Sequence, residues 1–135
     1  MTEATLTGSQ VLSTSYQHFF EFLKEPDTAA PVLSPKRFSQ AMHIDFQTLA
    51  EQAHVHRNTI SNAPGSRRIQ EYLRESLRVI KAASDLNGSM DKALFWYRNE
   101  PLGVFEYKTP ERLVSEGRTD DLLRYVASLE AGAAG

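Results

Sequence analysis

The sequence predicts an all-α protein, on three observations. Apolar residues recur at helical spacing in most segments, and no stretch sustains the period-two alternation of a sheet. Ser, Thr or Asp also repeatedly precedes such a segment, and Pro or Gly closes it. The 135 residues allow one domain or two small ones.

Taken in order, residues 1–15 are small and polar and are expected to fray. Residues 16–25 hold Tyr16, Phe19, Phe20, Phe22 and Leu23, and the spacing 16, 19, 20, 23 is one helical face. That face is expected on the domain's own core or on a second subunit, since left exposed it is an aggregation hazard. Residues 27–35 carry two prolines and read as a linker. Ser34-Pro35 is a cap followed by a first-turn proline, opening a helix to about Met42. Asp45 caps a short helix whose buried face is Phe46, Leu49, Ala50 and Ala53. His54, Val55 and His56 form a turn, and residues 57–63 a second short helix ended by Pro64-Gly65.

Ser66 is expected to cap the longest element, about residues 67–86, with Ile69, Tyr72, Leu73, Leu77 and Ile80 on one face. Asn87-Gly88 stops it as a left-handed C-cap pair. Ser89 starts the next helix, which passes Ala93, Phe95, Trp96 and Tyr97 to Asn99, where Glu100-Pro101 halts it. Residues 101–108 are a loop holding Leu102, Val104 and Phe105. Thr109-Pro110 opens one or two turns over residues 111–116, ended by Gly117. Thr119 is expected to cap the last helix, with Leu122, Leu123, Val126 and Leu129 on one face up to Gly132.

Composition narrows the function classes. Fifteen Lys and Arg against seventeen Asp and Glu give a net charge of −2, which excludes the globally basic nucleic-acid coats. The total hides a segregation. Residues 1–30 hold Lys24 against Glu3, Glu21, Glu25 and Asp27, whereas residues 56–81 hold six Arg and Lys against Glu71 and Glu75. Cysteine is absent, which removes disulfides, thiolate catalysis and Cys-ligated metal. With 41% hydrophobic and 24% charged residues the chain is composed like an ordinary globular protein. No basic start with an apolar run follows Met1, and no apolar run nears a membrane span, so no membrane association and a cytoplasmic location are expected.

Residues 49–61, Leu49-Ala50-Glu51-Gln52-Ala53-His54-Val55-His56-Arg57-Asn58-Thr59-Ile60-Ser61, form the most specific pattern. A DNA-reading bihelical unit needs a small residue where its helices cross, here Ala50. It needs apolar plugs at Leu49, Ala53, Val55 and Ile60, and polar groups on the outer face of the second helix. The pattern resembles the Xre-type, phage-repressor-like helix-turn-helix. Two positions depart from it: His54 stands where Gly is usual and must accept positive φ, and Pro64 shortens the second helix. The resemblance implies DNA contacts from His56, Arg57, Asn58, Ser61 and Asn62, with Arg67 and Arg68 one turn beyond for phosphates. The competing reading is a plain helical hairpin whose arginines pair with glutamates at i, i+4.

Ala93-Leu94-Phe95-Trp96-Tyr97-Arg98-Asn99 sets three aromatics in a row, so at least one must leave the core. Aromatics beside Arg also suit a protein interface, although Trp96 could simply pin its helix to the last one. With Ala93 and Trp96, the Asn99–Gly103 loop, Thr109–Leu113, Gly117 and the stretch from Val126 to Gly132, the order resembles the toxin-binding domain of Xre/MbcA/ParS antitoxins. The resemblance spans about residues 35–135, and the 104–108 loop is longer and more aromatic than the family's. It implies three parts: an N-terminal extension at 1–33, a helix-turn-helix domain at 34–87, and a toxin-binding domain with a tail at 88–135. It implies a homodimer that binds a RES-domain toxin, an NAD-degrading enzyme, and represses its own operator DNA. Toxin contacts are then expected at Trp96, Arg98 and Arg124. The tail Glu130, Ala131, Gly132, Ala133, Ala134 and Gly135 would enter the toxin's active-site cleft, offering free backbone N–H groups and a terminal carboxylate.

Nothing in the sequence asks for catalysis. His18, His43, His54 and His56 lie on three segments without a carboxylate cluster, so no metal and no cofactor is expected. Asp120 and Asp121 fit the first turn of a helix by its dipole alone. The alternatives are a stand-alone DNA-binding repressor dimerised by its C-terminal half, and an interaction scaffold with a degenerate helix-turn-helix.

Overall fold

A computed structural model describes residues 15–25 and 32–134. The expected frayed start over residues 1–14, most of the linker and Gly135 lie outside the described residues. Those described fold into eight α-helices and one 3-10 turn, so the all-α expectation holds. Among them no helix is long and apolar enough to cross a membrane.

Helix α1 (Tyr16–Leu23) is capped by Ser15 and sinks Phe19 and Leu23 into the protein's own core, leaving Tyr16, Phe20 and Phe22 packed at its edge. An antiparallel bridge between Lys24 and Leu33 follows, in which Glu25 N–H donates to the Val32 carbonyl (2.8 Å) and Ser34 N–H to the Leu23 carbonyl (2.7 Å). Helix α2 (Pro35–Met42) starts on the Ser34 cap with Pro35 in its first turn, and α3 (Phe46–Ala53) starts on the Asp45 carboxylate. The hydrogen bond from Thr48 N–H (2.8 Å) holds that carboxyl below its ordinary range. Helix α4 (Arg57–Asn62) is short, and α5 (Arg67–Asn87) runs 21 residues, about 30 Å. Helix α6 (Met90–Asn99) begins at Ser89, a 3-10 turn (Gly103–Phe105) follows, and α7 (Pro110–Ser115) begins at Thr109. Helix α8 (Thr119–Ala134) completes the chain.

Three expected boundaries need correction. Ser66 occupies the cap position of α5 but makes no cap hydrogen bond. Its N–H is held by the Ala63 carbonyl (2.9 Å) in the Pro64-Gly65 turn, and its hydroxyl is buried without a partner. Thr119 does not cap α8; it is the first helical residue, with its hydroxyl buried and unpaired. The left-handed turn at Gly117 (φ 81°) is the cause. It lets Arg118 N–H close on the Leu113 carbonyl, so Arg118 takes the cap position and its carbonyl accepts from Leu122 N–H. Finally, α8 continues past Gly132 to Ala134.

Helix α5 is the hub. Helices α1, α2, α3, α6, α7 and α8 pack on it, while α4 docks on α3. Its Ile69, Leu73, Leu77, Val79 and Ile80 are almost wholly buried, and one core runs unbroken from Phe19 to Leu122 across the expected boundary at residue 87. The three consecutive aromatics separate as sterics require: Tyr97 is fully buried, Trp96 half-buried against the core, and Phe95 67% exposed. Tyr97 Oη donates to Ser76 Oγ (2.9 Å), which donates to the Tyr72 carbonyl (2.9 Å). Burial pushes the Tyr97 and Tyr72 hydroxyls up, so both remain neutral donors.

At the N-terminal end of α5 the buried side chain of Gln70 acts as a clamp. Its Oε1 accepts from Leu33 N–H (2.9 Å), and its Nε2 donates to the carbonyls of Leu33 (2.8 Å) and Pro64 (2.9 Å). Replacing Gln70 by Ala strands these buried backbone groups. The expected loss in urea denaturation is about 3 kcal/mol, against less than about 0.5 kcal/mol for the exposed Gln47→Ala.

Candidate functional site

Helices α3 and α4, joined by His54, Val55 and His56, form a compact bihelical unit. Leu49, Ala50, Ala53 and Ile60 are buried between it and the core, and Val55 is partly buried. Ala50 permits the close crossing because it adds only a methyl group. The turn closes on itself, with His54 N–H on the Glu51 carbonyl (3.3 Å) and Val55 N–H on the Ala50 carbonyl (3.0 Å).

That closure puts His54 in the left-handed region at φ 58°, where a side chain costs roughly 1 kcal/mol. The imidazole offsets the cost by reaching another element. Its Nε2 lies 2.7 Å from the Ser115 carbonyl at the end of α7, and Ser115 Oγ donates back to the Gln52 carbonyl (2.7 Å). Arg68 Nη1 donates to the His54 carbonyl (3.3 Å), so the turn is held from α5 as well. His43 ends α2 with the same backbone, at φ 58°.

The outer face of α4 presents Arg57, Asn58, Ser61 and Asn62 to solvent, as expected. His56 is exposed beside them, but its Nδ1 accepts the Asn58 N–H (3.1 Å) and serves as the cap of α4. The sequence-level surplus of cations contracts. Arg67 pairs with Glu71 (2.8 Å), Arg78 with Glu75 (3.1 Å) and Asp120 (3.6 Å), and Lys81 with Asp85 (3.0 Å). These pairs are exposed and worth little, so each could yield to a stronger anion. Among the described residues neither Arg57 nor Arg74 lies within ion-pair distance of a carboxylate. Both readings of the arginines are therefore present: α5 carries helix-surface pairs, while Arg74 and Arg57 form no ion pair among the described residues, Arg57 acting on Asp45 only at longer range. Arg74 counts in the basic stripe of residues 56–81, but the sequence assigns it no DNA contact; it lies two turns from Arg67 and one from Arg78.

Behind the unit lies a buried polar seam. Tyr72 Oη donates to Gln52 Oε1 (2.8 Å), and Glu111, only 9% exposed, faces Arg98 at 3.0 Å in an ion pair outside hydrogen-bond geometry. Arg98 Nη1 also donates to the Met42 carbonyl. Burial raises the Glu111 carboxyl above its ordinary range, and the Arg98 charge opposes that rise. A cleft of about 400 Å³ opens beside Glu111 between Glu51, Gln52, Arg112 and Ser115. On the far side of α7, Glu116 holds Lys108 and Arg112, each at 2.9 Å, and their hydrogen bonds keep its carboxyl low.

The residues assigned to a protein partner are scattered. Arg98 is committed inward, Trp96 is half-buried on the core, and Arg124 is exposed in an ion pair with Asp121. Glu130, Ala131 and Gly132 are exposed. The expectation of free tail N–H groups is overturned: Glu130, Ala131, Gly132, Ala133 and Ala134 are helical, so their N–H groups serve the carbonyls one turn back. The tail keeps its helix because four of these five residues are Ala or Glu, strong helix formers that outweigh one Gly. Gln52, Glu111 and Ser115 went unnoticed in the sequence, since their partners lie 13 to 63 residues away. Among the described residues no three His, Asp or Glu side chains gather as metal ligands would.

The chain matches no family model, and neither a curated protein nor a solved structure matches it.

The His54 arrangement is directly testable. His54→Ala keeps the left-handed cost and loses the bond to Ser115, so a loss of about 1–2 kcal/mol is expected in chemical denaturation. His54→Gly loses the same bond but relieves the backbone, and is expected to stay within about 0.5 kcal/mol of the parent.

Proposed function

We propose that the chain is the antitoxin of a type II toxin–antitoxin system. In this reading it acts in the cytoplasm as a homodimer. It binds and inhibits a RES-type NAD-degrading toxin through its C-terminal unit, and represses its own operon through α3 and α4. The observation that carries the reading is the α3–α4 unit, with an exposed row of Arg57, Asn58, Ser61 and Asn62, in one chain with the Trp96-to-Gly132 order of the antitoxin toxin-binding domain. Arg57 and the two asparagines have the donor and acceptor sets that read guanine and adenine edges in a major groove. His56 caps the reading helix, and Arg67, Arg68 and Arg74 flank it for phosphates. In the C-terminal unit Trp96, Arg98 and Arg124 carry the toxin contacts, with Arg98 acting by holding its helix in place. The tail from Glu130 to Gly135 blocks the toxin's cleft, residues 130–134 entering as a thin helical rod.

A second reading has one observation in its favour. The core is continuous between the two units, and Ser115 ties α7 to the turn of the bihelical unit. A stand-alone repressor whose C-terminal half only supports the DNA-reading half would look the same.

Two experiments separate them. In co-expression with the product of the neighbouring reading frame, removal of residues 130–135 is expected to abolish rescue of growth while the two proteins still co-purify. Undiminished rescue would remove the tail from the mechanism. In titrations of the promoter DNA upstream of its own gene, Arg57→Ala with Asn62→Ala is expected to erase the preference over random DNA, about 1–3 kcal/mol per lost base contact. Arg74→Ala should weaken both DNAs equally and lower the salt slope by about one. Unchanged promoter preference in the double variant would exclude α4 as the reading helix.

A further inference from the structure

One surface lies apart from the α4 face and the tail. Between the end of α2 and the side of α6 is an open cleft of about 240 Å³, floored by Met42 and Leu94, with Asp91 and Arg98 at its two ends. It is smaller than the roughly 300 Å³ at which small-molecule pockets begin, and is sized for one large side chain. Phe95 stands on the wall of this same cleft and is 67% exposed, among the most exposed large apolar residues described.

Knob and hole therefore share one face, which is what a two-fold interface requires: each copy offers the other what it receives. The charges obey the same symmetry. Asp91 and Arg98 are seven residues apart, two turns and about 10 Å along α6, with opposite signs. A second α6 laid antiparallel sets Asp91 of each copy against Arg98 of the other, and Phe95 against Leu94, in a single register. Asp91 forms no ion pair among the described residues, whereas Arg98 engages Glu111 through Nε and the Met42 carbonyl through Nη1 and lines the cleft with its side chain 31% exposed. A parallel helix would set like charges together.

We propose that the protein self-associates as a two-fold dimer through antiparallel α6 helices, with Phe95 of each copy seated in the α2–α6 cleft of the other. This rests on the homodimer of the proposed function and deepens it by naming the surface, and it stands or fails separately from DNA binding and from toxin binding.

The test is sedimentation velocity of the full chain over a hundredfold range of concentration. The parent is expected to move from monomer to dimer, and Phe95→Glu to weaken association at least tenfold while melting at the parent temperature, because Phe95 contributes little to the core. Asp91→Arg, a second exposed change, is expected to weaken it in the same direction. The proposal is overturned by a parent that stays monomeric throughout. It is equally overturned by a dimer indifferent to Phe95→Glu and Asp91→Arg, or by Phe95→Glu impairing only binding to a different protein.

Discussion

The requirement that α5 be covered along its whole length organises this molecule. A 21-residue amphipathic helix exposes more apolar surface than any one neighbour can hide, so six other helices are recruited to it in succession. The geometry of that recruitment is set by hydrogen bonds as much as by packing. Gln70 fixes the segment after α1 and the turn after α4 at one end, and the Tyr97–Ser76 pair fixes α6 in the middle. Apolar contacts are non-directional; these few polar ones supply the register.

The seam from Tyr72 through Gln52 to Ser115, with Arg98 and Glu111 alongside, shows why the two expected halves behave as one body. A half-buried ion pair of this kind contributes little net stability, because desolvating the Glu111 carboxylate consumes much of the Coulombic gain. Its effect is selective. A shift of α7 against α6 by even one turn would leave the nearly buried Glu111 without Arg98. The α3–α4 turn thus has its orientation specified from the far end of the chain, through the Ser115 contacts with Gln52 and His54.

What could be read in the sequence was what depends on near neighbours. Ser34, Asp45, Ser89 and Thr109 cap helices where expected, because each bond is made within three residues. The arginine–glutamate pairs of α5 follow from spacing for the same reason. Ser66 and Thr119 escaped because a preceding turn rotated their hydroxyls inward, a matter of backbone path. For Phe95, Trp96 and Tyr97 the sequence could say that they must diverge, while which one stays outside depended on where α2 and α5 lie. The α4 face was legible nearly whole. The seam behind it was not, since no local rule connects Gln52 with Ser115, and the charge surplus shrank where partners such as Asp120 came from another helix.

The bridge between Lys24 and Leu33 has a topological consequence. Both strands of chain leaving it are anchored on the folded side, one by α1 in the core and the other by α2 and Gln70. The stretch between them closes a loop whose ends are already fixed, so lengthening it costs little in loop-closure entropy, about 0.6 kcal/mol for each doubling. A longer connection there would leave α1 held by the same side chains, which makes it the natural place to insert sequence into this fold.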